Sequence, residues 1–378
     1  MSRRPSQRIR RPGSGQAGYS LVEMMISMLI MVTVTGAIFS LVNPAQGTFR
    51  AQPEVADMQQ RMRVGIDVLQ KELLMAGAGT YQGATIGSLA NFFSPVLPRR
   101  IGSTNPDNYN VAADNRITIT YVPNTYSQTT VKGPQPMPPN STELKVEDQA
   151  NCPKHNQLCG FETGMQVLLF DNAGNFDFVT ITKIQDDAGH LQHQGQGLSV
   201  GYEPGSSVTE VRTHTFWLDT SKNQLMEYDG FSTDTPLVDN VVGLTFEYFG
   251  DATPPTAPKA TGKANCLYDA AGNLTYNPAP LATGDGSLAP LPLDMFKDGP
   301  WCSDPGNITK NSYDADLLRV RKIRVTLRVQ ASSASMRGTN PSGMTLFVNP
   351  GIASRPEEYL PDHEIRFEVS PRNLNLGR

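Results

Sequence analysis

From Tyr19 to Val42 the chain runs 24 residues with a single charge, Glu23. Wound as a helix, such a run measures about 36 Å at ~1.5 Å per residue, enough to cross a hydrocarbon layer of ~30 Å. Asn43-Pro44 and Gly47 then interrupt the apolar pattern, which predicts a kink or break at the end of the span. A second helical pattern follows in "EVADMQQRMRVGIDVLQKELLMAG". Val55, Met58, Met62, Ile66, Leu69, Leu73 and Ala76 recur at spacings of three and four and draw one apolar stripe, with Arg61, Arg63, Asp67, Lys71 and Glu72 off it. Gly77 and Gly79 supply a stop. The stripe is expected to pack on a β-sheet of the same chain.

The remaining three hundred or so residues change period. "RITITYV" alternates Ile117, Ile119 and Tyr121 with polar neighbours, as a half-buried strand does. "MQVLLF" and "FDFVTITKI" flank Asp171–Asn175 and read as a hairpin. The acidic and amide groups of that turn also suggest calcium, but their spacing does not fit a twelve-residue calcium loop. "THTFWLDTSKNQLMEYDG" reads as a second hairpin turning at Ser221–Asn223, and "LVDNVVGLTFEYFG" as one further strand. In "IRVTLRV" the residues Arg324 and Arg328 share a face, and in "EIRFEV" Glu364 and Glu368 do. An antiparallel pair of these two strands would set arginine against glutamate. Three Pro/Gly-rich stretches, 132–140, 250–262 and 277–294, read as surface loops, candidates either for partner contact or for plain decoration. No internal repeat is evident. Together these patterns predict an α+β chain, a long N-terminal helix on an antiparallel β-rich head.

Charge sharpens this picture at one end only. The chain carries 32 basic and 36 acidic residues, a net charge of −4. Five of the arginines (Arg3, Arg4, Arg8, Arg10, Arg11) precede Gly18 with no acid among them, so the rest has 27 basic against 36 acidic residues. A cluster of arginines ahead of an apolar span stays on the cytoplasmic side, which sends everything after Val42 outward. A mildly acidic body without a basic run argues against nucleic acid as a partner. An ordinary cleaved secretory signal fits poorly, because the apolar run is long and no small-x-small site closes it. A plain membrane anchor fits the length but leaves Glu23 unexplained, since a carboxylate within lipid costs roughly 2.5–3.5 kcal/mol on insertion scales.

The four cysteines, Cys152, Cys159, Cys266 and Cys302, contain no CxxC, which disfavours a zinc knuckle or a thioredoxin-like pair. Exported, they would form two disulfides by one of three connectivities. Cys152–Cys159 and Cys266–Cys302 are favoured because each encloses a local loop, with four free thiols as the alternative. His190 and His193 in "HLQH" are close together but have no carboxylate pair fixed beside them, and read as surface histidines. No GxSxG, HExxH, phosphate-binding loop or dinucleotide fingerprint is present, so no catalytic residue, metal or cofactor is expected.

The order Gly18, Tyr19, Ser20, Leu21, Val22, Glu23 behind a basic leader resembles the class III signal of type IV pilins and pseudopilins. Tyr19 stands where phenylalanine is commonest. The resemblance implies that prepilin peptidase removes 1–18 by cutting after Gly18 and methylates the amine of Tyr19. Residues 19–43 would then be kept as a membrane and assembly helix, 44–78 as its amphipathic continuation, and 79–378 as the head. It further implies that Glu23 of an incoming subunit pairs with the terminal amine of a neighbour, two charges that are less costly in lipid together than apart. The wording around Arg63–Gly77, and more loosely the strand segments of the head, are similar to PilW-type minor pilins. The implied partners are other pilins, prepilin peptidase and the inner membrane, with the head first in the periplasm and then on a pilus. Competing readings are a minor pseudopilin of a type II secretion system, a membrane-tethered adhesin or binding protein, and an anchored exported enzyme.

Overall fold

The computed structural model describes residues 18–79, 87–123, 126–149, 152–193, 197–259, 262–283, 288–304, 306–337, 360 and 362–376. The arginine-rich leader expected over 1–18 lies outside these residues except for Gly18. The first element is one helix, α1, Leu21–Met75, of 55 residues. The break expected at Asn43-Pro44 is absent, and the helix runs through it. An interior proline removes one backbone hydrogen bond, and a helix with long flanks on both sides carries that loss without stopping.

Helix α1 ends where the glycines predict. The Ala76 N–H bonds to the Leu73 carbonyl at 3.2 Å, and Gly77, at φ 77°, turns its own N–H to the Thr120 carbonyl at 3.0 Å. Its buried stripe is Met58, Met62, Gly65, Leu69, Leu73 and Ala76, with Val55 and Ile66 half-buried. Gly65 is the member that the apolar pattern omits. A Cβ there would stand 2.8 Å from Leu327 Cδ2, so the bare backbone is what lets the helix lie so close to the sheet. Arg63, Asp67 and Lys71 are exposed as expected, but Arg61 and Glu72 are half-buried and bonded to the head. The Arg61 guanidinium reaches Asp57 and the Ser332 hydroxyl, each at 2.6 Å.

Along the head the described strands are β1 (Val96–Leu97), β2 (Arg116–Tyr121), β3 (Gln128–Thr130), β4 (Glu143–Lys145), β5 (Gln166–Phe170), β6 (Phe176–Thr180), β7 (Lys183–Gln185), β8 (His190–Gln192) and β9 (Ser207–Glu210). They continue with β10 (Arg212–Asp219), β11 (Gln224–Tyr228), β12 (Asp234–Asp239), β13 (Val241–Asp251), β14 (Leu288–Leu291), β15 (Trp301–Cys302), β16 (Tyr313–Asp314), β17 (Val320–Val329) and β18 (His363–Val369). Every pairing between these strands is antiparallel. Two sheets carry α1, one in the order β1-β2-β10-β11-β12 and one in the order β14-β13-β17-β18. The α+β reading of a long helix on an antiparallel head therefore holds.

Residues between β2 and β10, which are themselves paired through Tyr121 and Arg212, form two further sheets, β3-β9-β5-β6 and β4-β8-β7. These close a second core around Val167, Leu169, Val179, Leu191 and Tyr202. Leu168 and Phe170, on the opposite face of β5, belong to the main core instead. This explains the unbroken apolar run in "QVLLF", because alternate side chains of that strand serve two cores and neither face meets water.

Three strand expectations change in detail. "LVDNVVGLTFEYFG" spans two strands, β12 and β13, separated by Asn240 at φ 59°, a left-handed turn that asparagine tolerates. "RITITYV" does not alternate in burial, because Thr118 and Thr120 are also buried. Thr118 Oγ1 meets the Arg99 carbonyl at 2.5 Å and Thr215 Oγ1 at 2.7 Å, so its polar face is satisfied inside. The stretch 277–294 is not all loop, since it supplies β14, which pairs with β13. The hairpins at Asp171–Asn175 and Ser221–Asn223 form as predicted.

Candidate functional site

The site that the sequence singled out lies at the start of α1. Ser20 holds the extended conformation of an N-cap at φ −72°, ψ 147°. Its hydroxyl accepts from the Val22 and Glu23 N–H groups at 3.2 and 3.4 Å, and its own N–H donates to Glu23 Oε2 at 3.0 Å. This is a reciprocal capping box. Glu23 thus already has a partner within its own chain, and its negative charge sits in the first turn, where helix N–H groups are unsatisfied. Sequence reasoning passed over Ser20 as an actor, although the S-x-x-E spacing of Ser20 and Glu23 was there to be read.

Gly18 and Tyr19 precede the cap in open space. A Cβ on Gly18 would meet nothing within 4 Å, and Tyr19 is 88% exposed. After them every residue from Ser20 to Ser40 is exposed, and most of them are apolar. Three of the hydroxyls in the span bond back to the helix: Ser27 to the Glu23 carbonyl at 2.7 Å, Thr33 to that of Ile30 at 2.8 Å, and Ser40 to that of Ala37 at 2.8 Å. Hydroxyls so satisfied cost little in an apolar surrounding. Leu21–Ser40 is long and apolar enough to cross a membrane. An exposed apolar surface of that extent is a contact surface, for lipid or for other helices.

The cysteines form Cys152–Cys159 and Cys266–Cys302. The histidine pair does not read as expected. "HLQH" lies on and just after β8, His190 sits 3.3 Å from a Glu143 carboxylate oxygen, and His193 is buried rather than at the surface. The Asp171 carboxylate is consumed by its own turn, with Oδ1 accepting from the Ala173 and Asn175 N–H groups and Oδ2 from the Asn175 amide. Burial nevertheless raises it above the usual carboxylate range. Those bonds account for the turn without calcium.

One acidic grouping was not anticipated. Carboxylate oxygens of Asp298, Asp314 and Asp316 lie within 4.8 Å of one another, with Arg319 Nε 2.8 Å from Asp316. Asp314 is fully buried and accepts from the Gly299 N–H at 2.6 Å and the Asp316 N–H at 2.9 Å. Burial, with Asp316 and Asp298 as neighbouring like charges, pushes its carboxyl up to about 7. It is the N-cap of a short 3-10 turn, Ala315–Arg319, and so has a structural task of its own.

Residues 13–39 match the family described as the prokaryotic N-terminal methylation motif. No curated protein matches the chain. Among solved structures, a type IV-like pilin from Thermus thermophilus aligns at 13% identity over 56% of this chain and 85% of that one, with a TM-score of 0.16. A likeness that slight carries no weight on architecture. The chain therefore bears a prepilin-type methylation motif directly ahead of and within an exposed apolar helix that is capped by Ser20 and Glu23.

Proposed function

We propose that this chain is a minor pilin-like subunit of a type IV pilus, of PilW type. Prepilin peptidase would cut after Gly18, and the new amine on Tyr19 would be methylated. Residues 19–43 would hold the subunit in the inner membrane with the head in the periplasm, and would then pack among other pilins when the subunit enters the fibre. Its work would be to prime, cap or join the fibre rather than to catalyse a reaction.

The observation that carries this reading is the match of residues 13–39 to the methylation motif, which begins ahead of Gly18 and ends inside the apolar helix. Two features of the chain support it. Gly18 and Tyr19 are open to an enzyme, and the apolar face that follows is uncovered by the rest of the chain. The large head, with its second core inserted between β2 and β10, is more than a repeating fibre subunit needs, which favours a minor position. For Glu23 we propose a dual role. It caps its own helix through Ser20, and its second oxygen remains free to meet the cationic amine of a neighbouring subunit.

The deciding experiment is mass analysis of the mature N-terminus. A chain that begins at N-methylated Tyr19 supports the proposal. One that retains Met1, or begins beyond Val42, ends it.

A further inference from the structure

Near the end of α1, four side chains from four elements meet in a row. Glu72 of α1 accepts the hydroxyl proton of Tyr121, on β2, at 2.8 Å. The same carboxylate oxygen lies 3.8 Å from Nε2 of His214, on β10. On the far side of the ring, Nδ1 of His214 is 2.5 Å from Oε1 of Glu227, on β11. The imidazole is held between rings, parallel to Tyr121 at 5.9 Å and to Phe216 at 6.2 Å. Exposure of 18% for His214, 14% for Glu72 and 23% for Glu227 makes this a sheltered but wettable row. The remaining charged groups near the ring are Arg212, paired with Glu210 at 3.7 Å, and Glu162 and Asp229, which line a cleft of about 470 Å³ beside it.

The row has a donor-counting problem. A neutral imidazole offers one N–H and one lone pair, whereas an imidazolium offers two N–H groups. Set between two carboxylates, only the imidazolium presents an N–H to each side, Nδ1–H in a charge-assisted bond to Glu227 and Nε2–H in an ion-pair contact with Glu72 at 3.8 Å, beyond hydrogen-bond distance. When the proton leaves, Nδ1–H can keep Glu227 but Nε2 becomes an acceptor aimed toward Glu72. The Tyr121 hydroxyl stands 3.5 Å from that nitrogen, so it is placed to turn from Glu72 to His214. Glu72 would then lose its tie to β2 and β10 together. Burial, and next the bond to Glu72, hold the Tyr121 hydroxyl above the usual phenol range, so it stays a donor throughout.

We infer that Glu72, Tyr121, His214 and Glu227 form a proton-operated latch that ties the end of α1 to the head, closed when His214 carries two protons and loosened when it carries one. The latch ties the last turn of the helix to the sheet by polar bonds among apolar neighbours such as Leu69 and Leu73. It lies well away from the polar ties of Glu54, Asp57 and Arg61 to Ser332, so a change in one proton acts first on the helix end. This goes beyond the assembly role and stands without it. Imidazole is the side chain suited to such a device, since it can offer either one or two N–H donors.

The test is amide hydrogen exchange of the full chain in detergent micelles, followed in peptides from residues 66–76 between pH 5.5 and 8.5 and corrected for intrinsic exchange. In the wild type, protection of this stretch should fall on the order of tenfold as pH rises. In Glu72→Gln, which keeps an acceptor for Tyr121 but no charge, and in His214→Gln, the pH dependence should vanish there and persist elsewhere. A wild type with flat protection, or a Glu72→Gln variant with the wild-type slope, overturns the latch. Should His214→Gln fail to fold, Glu72→Gln decides alone.

Discussion

Ser20 and Glu23 close a reciprocal pair at the start of α1, the Ser20 N–H donating to Glu23 Oε2 at 3.0 Å while the Glu23 N–H donates to Ser20 Oγ at 3.4 Å. The pair separates two explanations of one carboxylate. If capping is all that Glu23 does, Ser20→Ala and Glu23→Ala should impair incorporation alike, since removing an N-cap costs about 1 kcal/mol at the helix start. If it also meets a neighbour's amine, Glu23→Ala should abolish incorporation with insertion intact, while Ser20→Ala only slows it. Sheared-fibre and membrane fractions probed for the subunit give the answer, and equal defects would remove the intersubunit role.

Gly65 sets how closely the helix approaches the sheet. The atom that a new Cβ would meet first is a methyl at the end of Leu327, 2.8 Å away, followed by Val238 Cγ2 at 3.6 Å. Such a methyl can move, at about 1–2 kcal/mol, and alanine returns up to ~1 kcal/mol of helix propensity. Gly65→Ala should therefore stay within about 1 kcal/mol of wild type in denaturant unfolding. Gly65→Val, with two further methyls and no helix gain of that size, should lose about 2–3 kcal/mol.

The predicted match of arginine to glutamate across β17 and β18 is present in register, Arg324 opposite Glu368 and Arg328 opposite Glu364. Only the first is a bonded pair. Arg324 gives Glu368 two bonds at 2.9 and 2.7 Å and Lys322 adds a third at 2.8 Å, whereas Glu364 bonds Arg366 at 3.2 Å on its own strand. Those bonds from Lys322 and Arg324 hold the Glu368 carboxyl below the usual range. Its stabilising share is thus present above the ordinary carboxylate range and fades as pH falls through it. Since the pair is exposed, Glu368→Lys should cost only about 1 kcal/mol, less in high salt, and Glu364→Lys less still, by thermal unfolding.

Asp314 should act in the opposite sense. Its carboxyl titrates at about 7 in the folded chain, above the ordinary range of an unfolded one. A raised acid contributes stability below its unfolded range, and that contribution drains away as pH climbs toward 7. Wild-type stability should therefore decline from pH 4.5 to 8, and Asp314→Asn should flatten the decline, while losing at every pH one of the two N–H bonds that the Asp314 oxygens accept. Unfolding curves across that range check this. Exchange at Gly299 and Trp301 distinguishes the effect from the His214 latch, which acts at residues 66–76.

Much of this protein could be read without coordinates because the relevant physics is local. A run of apolar residues, glycines at a helix end and alternation along β17 and β18 are all short-range patterns, and each has its expected element. The pairing of β17 with β18 followed from the same rule, since a strand with one buried face has little freedom of register.

Folding decided what depends on residues far apart in the chain. Nothing within "QVLLF" says that Leu168 and Leu169 face different cores, because the second core is closed by β8 and β9, which arrive later in the chain. Nothing near Glu72 announces His214 or Glu227, which lie more than a hundred residues onward and reach it only because β2, β10 and β11 are neighbours in one sheet. Periodicity tells a side chain which face it occupies, but which partner waits on that face is set by sheet order, and that order is a property of the whole packed chain.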